Sequence, residues 1–442
     1  MKSATNEPPR FYLISLGCPK NLVDSVGMTI LLERAGYRLA EDVSDADVLI
    51  VNTCGFIEPA RQESLDVLHE LAEQRSAGQR LIAAGCYAQR SPEELYQAVP
   101  GLDGVIGTRR WREISDLVAQ FFPPPSGPRE MMGGRMYVPR VARQGASAYI
   151  KLADGCRRAC AFCAIPLIKG TAVSRPPEDI LADARQLAAQ GVLELVLIAQ
   201  DTSDYGHDLG KKDGLAVLLE ELVAAVPQVP WIRLMYTYPA RITDQLIETM
   251  ARHPQILPYL DLPLQHAHPA VLRRMRRPAN VEAVIQVIER LRQAMPEIAI
   301  RTTFLVGFPG ETEKEFQTLL QFVETMAFDR VGVFTYSHEA GTPAAVMGME
   351  DDVPLDVKED RRKRLMAIQQ SISLEKNRAL VGRKMDVLIE GYAEGISVGR
   401  SYRDAPEIDG LVLVEAQQPL GAIVPVRITT ALEYDLVGRP AR

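Results

Sequence analysis

Three of the six cysteines recur at the spacing of one strand–helix unit, and each follows a short apolar run that reads as a β-strand. Cys18 comes after Phe11-Tyr-Leu-Ile-Ser-Leu16, Cys54 after Asp47-Val-Leu-Ile-Val51, and Cys86 after Leu81-Ile-Ala-Ala84, at intervals of 36 and 32 residues. The segments between them are helix-like: Leu22 to Ala35, stopped by Gly36, and Glu58 to about Ser76. Ser91-Pro-Glu-Glu opens a further helix, with serine as the cap and proline in the first turn. Such alternation over about residues 10–120 predicts a doubly wound parallel sheet. Parallel strands end on one edge, the edge where ligands bind in open α/β sheets, so the three thiols can converge there. Gly17 and Gly85 would let the backbone approach a bulky group closely. The plain alternative is three inert core cysteines.

A chain of 442 residues, 47% hydrophobic and 24% charged, has the composition of a soluble globular protein of two or three domains. Met1 to Arg10 is polar, without the apolar core of a signal peptide, and no apolar run is long enough to span a bilayer. The expected location is cytoplasmic, with no membrane contact. Disulfides rarely persist there, and clustered cysteines point to metal or redox chemistry. A net charge of −7 argues against a general polyanion binder and suits a basic partner.

Phe121-Phe-Pro-Pro-Pro-Ser-Gly-Pro128, continuing through Gly133-Gly134, reads as a linker. Six strand candidates follow: Ala148–Leu152, Leu193–Ile198, Trp231–Met235, Tyr259–Leu262, Ile298–Leu305 and Arg330–Thr335. Six βα units predict a (βα)6, partial TIM-like barrel with its chemistry at the carboxyl ends of the strands. A charged helix from about Val357 to Arg378 closes this region, and short β segments from Gly382 onward suit a small antiparallel β-barrel. The expected domains are residues 9–121, a linker 122–145, a core 146–378 and a barrel 379–442.

The other three cysteines form the run Cys156-Arg-Arg-Ala-Cys160-Ala-Phe-Cys163 on the loop after the first barrel strand. Three thiolates are one too few for a 4Fe–4S cluster held at all its irons, or for a closed zinc site. No Cys or His lies near enough in sequence to complete a standard zinc knuckle, so one metal corner stays open at the barrel mouth.

Asp154-Gly-Cys-Arg-Arg-Ala-Cys-Ala-Phe-Cys163 resembles the cluster motif of radical S-adenosylmethionine (AdoMet) enzymes. Together with three N-terminal cysteines and a C-terminal TRAM-like barrel, it makes nearly the whole chain similar to the radical AdoMet methylthiotransferases. Ser15–Asp24, Asn52–Ile57, Ile198–Ser203 and Leu260–His266 resemble the branch that methylthiolates an aspartate Cβ of the twelfth small-subunit ribosomal protein. The alternative is the branch that modifies a tRNA adenosine.

The resemblance implies two 4Fe–4S clusters, with Cys156, Cys160 and Cys163 as ligands of one and Cys18, Cys54 and Cys86 as ligands of the other. The first would bind AdoMet and cleave it to a 5′-deoxyadenosyl radical. The second would hold the sulfur that a first AdoMet methylates. It also implies AdoMet contacts at Phe162, Gln200, Asp201 and Gly307, against which stand a packed aromatic, cap chemistry and a plain turn. His266 and His268 border the mouth and are expected to be structural. A reduced flavodoxin or ferredoxin-type protein would supply electrons to a monomer, and the substrate would be met free or on the ribosome. A non-catalytic electron-transfer module is the reading from another class, but such carriers close all four iron ligands. Val26-Gly27 and His268 depart from the branch's pattern and bear on substrate contacts only.

The tail from Val381 to Arg442 has seven Lys/Arg against nine Asp/Glu, a poor RNA footprint that could complement a basic ribosomal protein. The basic run Arg273-Arg274-Met-Arg276-Arg277 runs the other way, and reads as a solvated helix end.

Overall fold

A computed structural model describes residues 7–124 and 137–441, so residues 125–136 of the expected linker lie outside the described ones. The chain divides into two compact units. The first runs to Ala142 and adds Asp154–Arg157 and Ala164–Thr171; the second takes Arg143–Ala153, Arg158–Cys163 and Ala172–Arg442.

In the first unit, β1 (Arg10–Ser15), β2 (Arg38–Leu39), β3 (Val48–Thr53), β4 (Arg80–Ala84) and β5 (Gly104–Gly107) form one sheet in the order β2-β1-β3-β4-β5. Every pairing is parallel. Ser15 pairs with Asn52 and Asn52 with Ala84, which sets the three cysteine-bearing strand ends level. β3 is buried along its whole length, and its alternation sorts the core into two layers. Val48 and Ile50 pack with Met28 and Leu31 of α1 (Pro19–Arg34) and with Trp111. Leu49 and Val51 pack with Leu68 and Leu71 of α2 (Glu58–Gln74) and with Leu95. A parallel sheet must cover both faces in this way. One local expectation fails: Ser91 precedes the helix Pro92–Ala98, but its side chain makes no capping bond. At φ −143° and ψ 64° it contributes only its carbonyl, which accepts the Leu95 N–H at 3.2 Å.

In the second unit the six expected strands are present as Ser147–Lys151, Glu194–Ile198, Trp231–Leu234, Ile256–Asp261, Ala299–Val306 and Arg330–Thr335. They pair in chain order, all parallel, with Val141–Gln144 added at the edge beside Ser147–Lys151. The sheet stays open, a partial barrel. The C-terminal strands Lys384–Ala393, Ile396–Ser401, Val412–Val414, Ile423–Ala431 and Leu436–Pro440 close into a five-stranded barrel. Four of its pairings are antiparallel, but Val412–Val414 runs parallel to Leu436–Pro440.

The segment Arg400–Asp409 of this small barrel meets one side chain from each of the six parallel strands. Arg400 Nη2 donates to Ser147 Oγ at 3.2 Å and to Glu194 Oε2 at 2.6 Å. Arg233 Nη1 donates to the Tyr402 carbonyl at 2.7 Å, and Tyr259 Oη to Asp409 Oδ2 at 2.6 Å. Arg301 pairs with Asp409 at 3.4 Å and Arg330 with Asp404 at 2.5 Å. Buried charged groups persist only when paired in this manner. Arg400, Arg403, Asp404 and Asp409 are thus turned inward, so the tail presents a slightly acidic face outward.

Two cysteine sites

In a sheet ordered 2-1-3-4-5 the crevice at the carboxyl edge opens between β1 and β3, where the connections depart to opposite faces. Cys18 is the residue before α1, and Cys54 directly follows β3, so the two flank that crevice. Cys86 is the second residue of α3 (Gly85–Arg90), which leaves β4. Cys18 is exposed, Cys54 half-buried and Cys86 buried.

The three thiols are close enough to feel one another's charge. Burial, reinforced by Cys18 and Glu63, raises the Cys54 thiol above its usual range. Burial, together with Cys18, Cys54 and Asp24, pushes Cys86 up to about 12. Desolvation acts on Cys18 in the same direction. There Lys20, the Asn21 N–H, Lys169 and the Lys20 N–H outweigh it and hold the thiol below the ordinary value. The electrostatic environment thus separates Cys18, whose thiol ionises more readily, from Cys54 and Cys86, whose thiols ionise less readily.

Asn21 and Asn52 brace this edge. Asn21 Nδ2 donates to the carbonyls of Leu16, Asn52 and Thr53 at 2.9, 3.3 and 3.1 Å, while its Oδ1 accepts from Cys86 Sγ at 3.6 Å. Asn52 Nδ2 returns a bond to the Asn21 carbonyl at 2.9 Å and another to Ser25 Oγ at 2.8 Å. Gly17 has φ +81°, and a Cβ there would lie 2.9 Å from Cys54 Sγ. Gly85 has φ +97°, and its Cβ would strike Asn52 Oδ1 at 2.3 Å. Both glycines therefore admit neighbouring strand ends and a thiol.

A buried ion group lies beside the thiols. Lys169 Nζ donates to Asp24 Oδ2 at 2.7 Å and Thr108 Oγ1 at 2.6 Å, and Arg140 pairs with Asp24 and with Asp154. Burial opposes the Lys169 charge, but Asp24, Cys86 and Asp154 overcome it and hold the ammonium protonated above its usual range. The site thus carries a protonated ammonium next to the thiols.

The loop of Cys156, Cys160 and Cys163 is held by backbone bonds. Cys156 N–H donates to the Gly170 carbonyl at 3.0 Å, and Cys163 N–H to the Cys160 carbonyl at 3.1 Å. Ala161 N–H donates to the Met275 carbonyl at 2.9 Å, and the Ala161 carbonyl accepts from Ala344 N–H at 2.9 Å. The basic run at 273–277 is a solvated helix end only at Arg273 and Arg276, which are exposed. Arg274 pairs with Glu315 at 3.0 Å, and Arg277 Nη1 stands 3.8 Å from Cys160 Sγ. Among the described residues no three His, Cys, Asp or Glu are gathered as one metal ion would need. Ligands of a cluster bind different irons and stand farther apart.

Three family models match: the Radical SAM superfamily over residues 150–323, the uncharacterized protein family UPF0004 over 10–107, and the TRAM domain over 381–440. The ribosomal protein uS12 methylthiotransferase RimO of Chloroflexus aurantiacus is 49% identical, covering 97% of this chain and 99% of that one. The RimO protein of Symbiobacterium thermophilum is 46% identical over 98% of this chain and 91% of its own. The chain belongs to the RimO family.

Among solved structures, the radical S-adenosylmethionine methyltransferase TsrM from Kitasatospora setae shares the fold of this RimO-family chain. Its TM-score is 0.57 at 15% identity, covering 88% of this chain and 80% of that one. The cobalamin-dependent radical enzyme OxsB gives 0.51 at 10% identity, with 82% and 56% covered.

The expected AdoMet contacts are placed as follows. Gln200 Oε1 is buried with no hydrogen-bond partner, an acceptor that fits the amino group of AdoMet. Asp201 is already engaged, accepting from Arg158 Nε at 2.8 Å and Ser203 Oγ at 2.6 Å. Phe162 packs against the cluster of Ala161, Met275, Phe308 and Tyr336. Gly307, at φ +69°, faces Lys358, whose Cγ would lie 2.2 Å from a Cβ. His266 is buried, which drives its pKa down to about 3. Its Nδ1 accepts the His268 N–H at 2.9 Å and His268 caps the helix Pro269–Arg274, while His266 Nε2 is buried with no hydrogen-bond partner. Gly27 is needed for packing, since a Cβ there would meet the Trp111 ring at 2.7 Å. Asn21 and Lys169 carry no spacing signal in the sequence, and Arg277 is visible there only as part of the basic run 273–277.

Among the described residues no helix is long and apolar enough to cross a membrane.

Proposed function

We propose that this chain is a radical AdoMet methylthiotransferase that adds a methylthio group to an aspartate Cβ of ribosomal protein uS12. The observation that carries this is the end-to-end similarity to RimO proteins, with three cysteines on each of two loop systems. Cys156, Cys160 and Cys163 would hold one 4Fe–4S cluster, and Cys18, Cys54 and Cys86 the other. Three thiolates apiece leave one corner free for a non-protein ligand. When bound, the clusters and AdoMet supply reductive AdoMet cleavage and a methylated sulfur, chemistry that no side chain can provide. The chain's own part is positional and electrostatic. Asn21 and Asn52 lock the strand ends that present Cys18, Cys54 and Cys86. Lys169 and Lys20 balance thiolate charge. Gln200 offers its unpaired oxygen to AdoMet, and Arg158 fixes Asp201 beside it. The outward acidity of the small barrel suits a basic ribosomal protein better than tRNA. A reduced flavodoxin or ferredoxin-type donor, acting on a cytoplasmic monomer, completes the reading.

The deciding experiment is anaerobic. Reconstituted protein, dithionite and AdoMet are incubated with uS12 or with unmodified tRNA, and each product is weighed for an added methylthio group. Gain on uS12 is expected; gain on tRNA alone overturns the assignment.

Gly17→Ala tests the geometry of the N-terminal triad. A left-handed backbone costs a non-glycine residue about 1–2 kcal/mol, before the contact with Cys54 is counted. The variant should bind about half the iron per chain and keep AdoMet cleavage. Full iron loading would show that Cys54 need not sit against Gly17.

A further inference from the structure

The basic run at 273–277 places one cation where the thiols of the radical loop are. Arg273 and Arg276 are exposed, and Arg274 is engaged by Glu315 and the Gly310 carbonyl. Arg276 adopts a left-handed conformation, φ 54°, and Arg277 N–H then bonds back to the Leu272 carbonyl at 2.8 Å. That turn aims the Arg277 guanidinium at the cluster loop. Its Nη2 donates to the Pro263 carbonyl, and Nη1 lies 3.8 Å from Cys160 Sγ. Its guanidinium carbon sits 4.3 Å from the centre of the Tyr238 ring. Arg158, two residues before Cys160, lies over the same ring, also at 4.3 Å. Arg158 is itself fixed by Asp201 at 2.8 Å and Asp204 at 3.2 Å. Tyr238 therefore joins the turn after the Pro269–Arg274 helix to the cysteine loop. The Met275 carbonyl, which receives the Ala161 N–H, fastens the same two segments again.

We propose that Arg277 is a positioning residue that holds the Cys160 thiolate and raises the reduction potential of the cluster bound there. This rests on the reading of Cys160 as a cluster ligand. Reduction adds negative charge that spreads onto the sulfurs, so a nearby cation and an N–H···S bond stabilise the reduced form. Losing Arg277 makes the cluster harder to reduce.

The test compares wild type with Arg277→Met, Arg277→Gln and Arg277→Lys as full-length, anaerobically reconstituted proteins. Iron content, thermal midpoint and an electron paramagnetic resonance redox titration are measured. The signal followed is the one that changes when AdoMet is added. Arg277→Met should load iron normally and shift the one-electron equilibrium about tenfold toward the oxidised form, about 59 mV lower. Arg277→Lys should recover part of the shift, since it restores the charge without the planar fork. A loaded Met variant with the wild-type midpoint overturns the proposal. If the Met variant fails to load, Arg277→Gln decides, and an unshifted midpoint there overturns it equally. Failure of the underlying reading looks different: Cys160→Ala would then keep the AdoMet-responsive signal.

Discussion

Cys54→Ala should leave AdoMet cleavage at the wild-type rate and lose methylthio transfer altogether, whereas Cys160→Ala should lose both. The contrast follows from where the thiols sit. Cys54 follows β3 on the sheet of the first unit, half-buried against Gly17, and its N–H is held by Ser64 Oγ at 3.1 Å. Alanine keeps that backbone bond and removes little packing, so folding should change by less than about 1 kcal/mol. What disappears is one of the three strand-end thiols proposed to hold the second cluster. Cys160 belongs to the other loop, between Arg158, which fixes Asp201, and Ala161, which is bonded to Met275. Its loss removes one of the three thiols proposed to hold the AdoMet-binding cluster. 5′-Deoxyadenosine is measured by chromatography and methylthio gain by mass, with thermal midpoints as the control for folding. Full methylthiolation by Cys54→Ala would end the two-cluster reading.

Glu194→Ala should be the most damaging single change to the fold, destabilising it by about 3–5 kcal/mol in denaturant unfolding. The Glu194 carboxylate is fully buried and accepts from Arg233 Nε at 2.7 Å, Arg400 Nη2 at 2.6 Å and Ser147 Oγ at 2.8 Å. Its removal leaves the buried Arg233 guanidinium without a carboxylate and Arg400 with Glu390 as its remaining one. Total stabilities are of the order of 5–15 kcal/mol, so such a loss brings the variant near unfolding. The same group sets an acid limit. Desolvation would raise its pKa, but Arg233 and Arg400 outweigh that and hold it at about 2, against 4.5 for a free glutamate. A depressed pKa contributes stability that is complete above pH about 4.5 and is lost as the pH falls through about 2. Glu194→Ala should flatten the acid limb of the stability–pH curve across that window. A loss under about 1 kcal/mol would mean that the contacts of Arg400–Asp409 do not tie the small barrel to the parallel sheet.

Much of the architecture was legible because it follows from short-range pattern. Val48–Val51 reads as a buried parallel strand from its unbroken apolar run, and Cys54 falls after it whatever else the chain does. The six strands of the second unit carried the same signal. β2 did not, being two exposed residues held only by pairing with β1. Ile396–Ser401 and Leu436–Pro440 mix glycine and arginine into their strands, and their arginines read as surface charge. Arg400 is instead buried against Glu194, a partner 206 positions away that no local pattern reveals.

The sequence alone determined which atoms could do the chemistry: six thiols, three at strand ends and three within eight residues, on a βα framework that brings strand ends together. Periodicity and spacing are local, and they suffice for that. Tertiary structure alone decided how those thiols are held. Asn21 joins three strand ends, Lys169 lies against Asp24 across 145 residues, and Arg277 reaches Cys160 across 117. Single polar side chains carry no periodic signal, and only the folded chain gives them their partners.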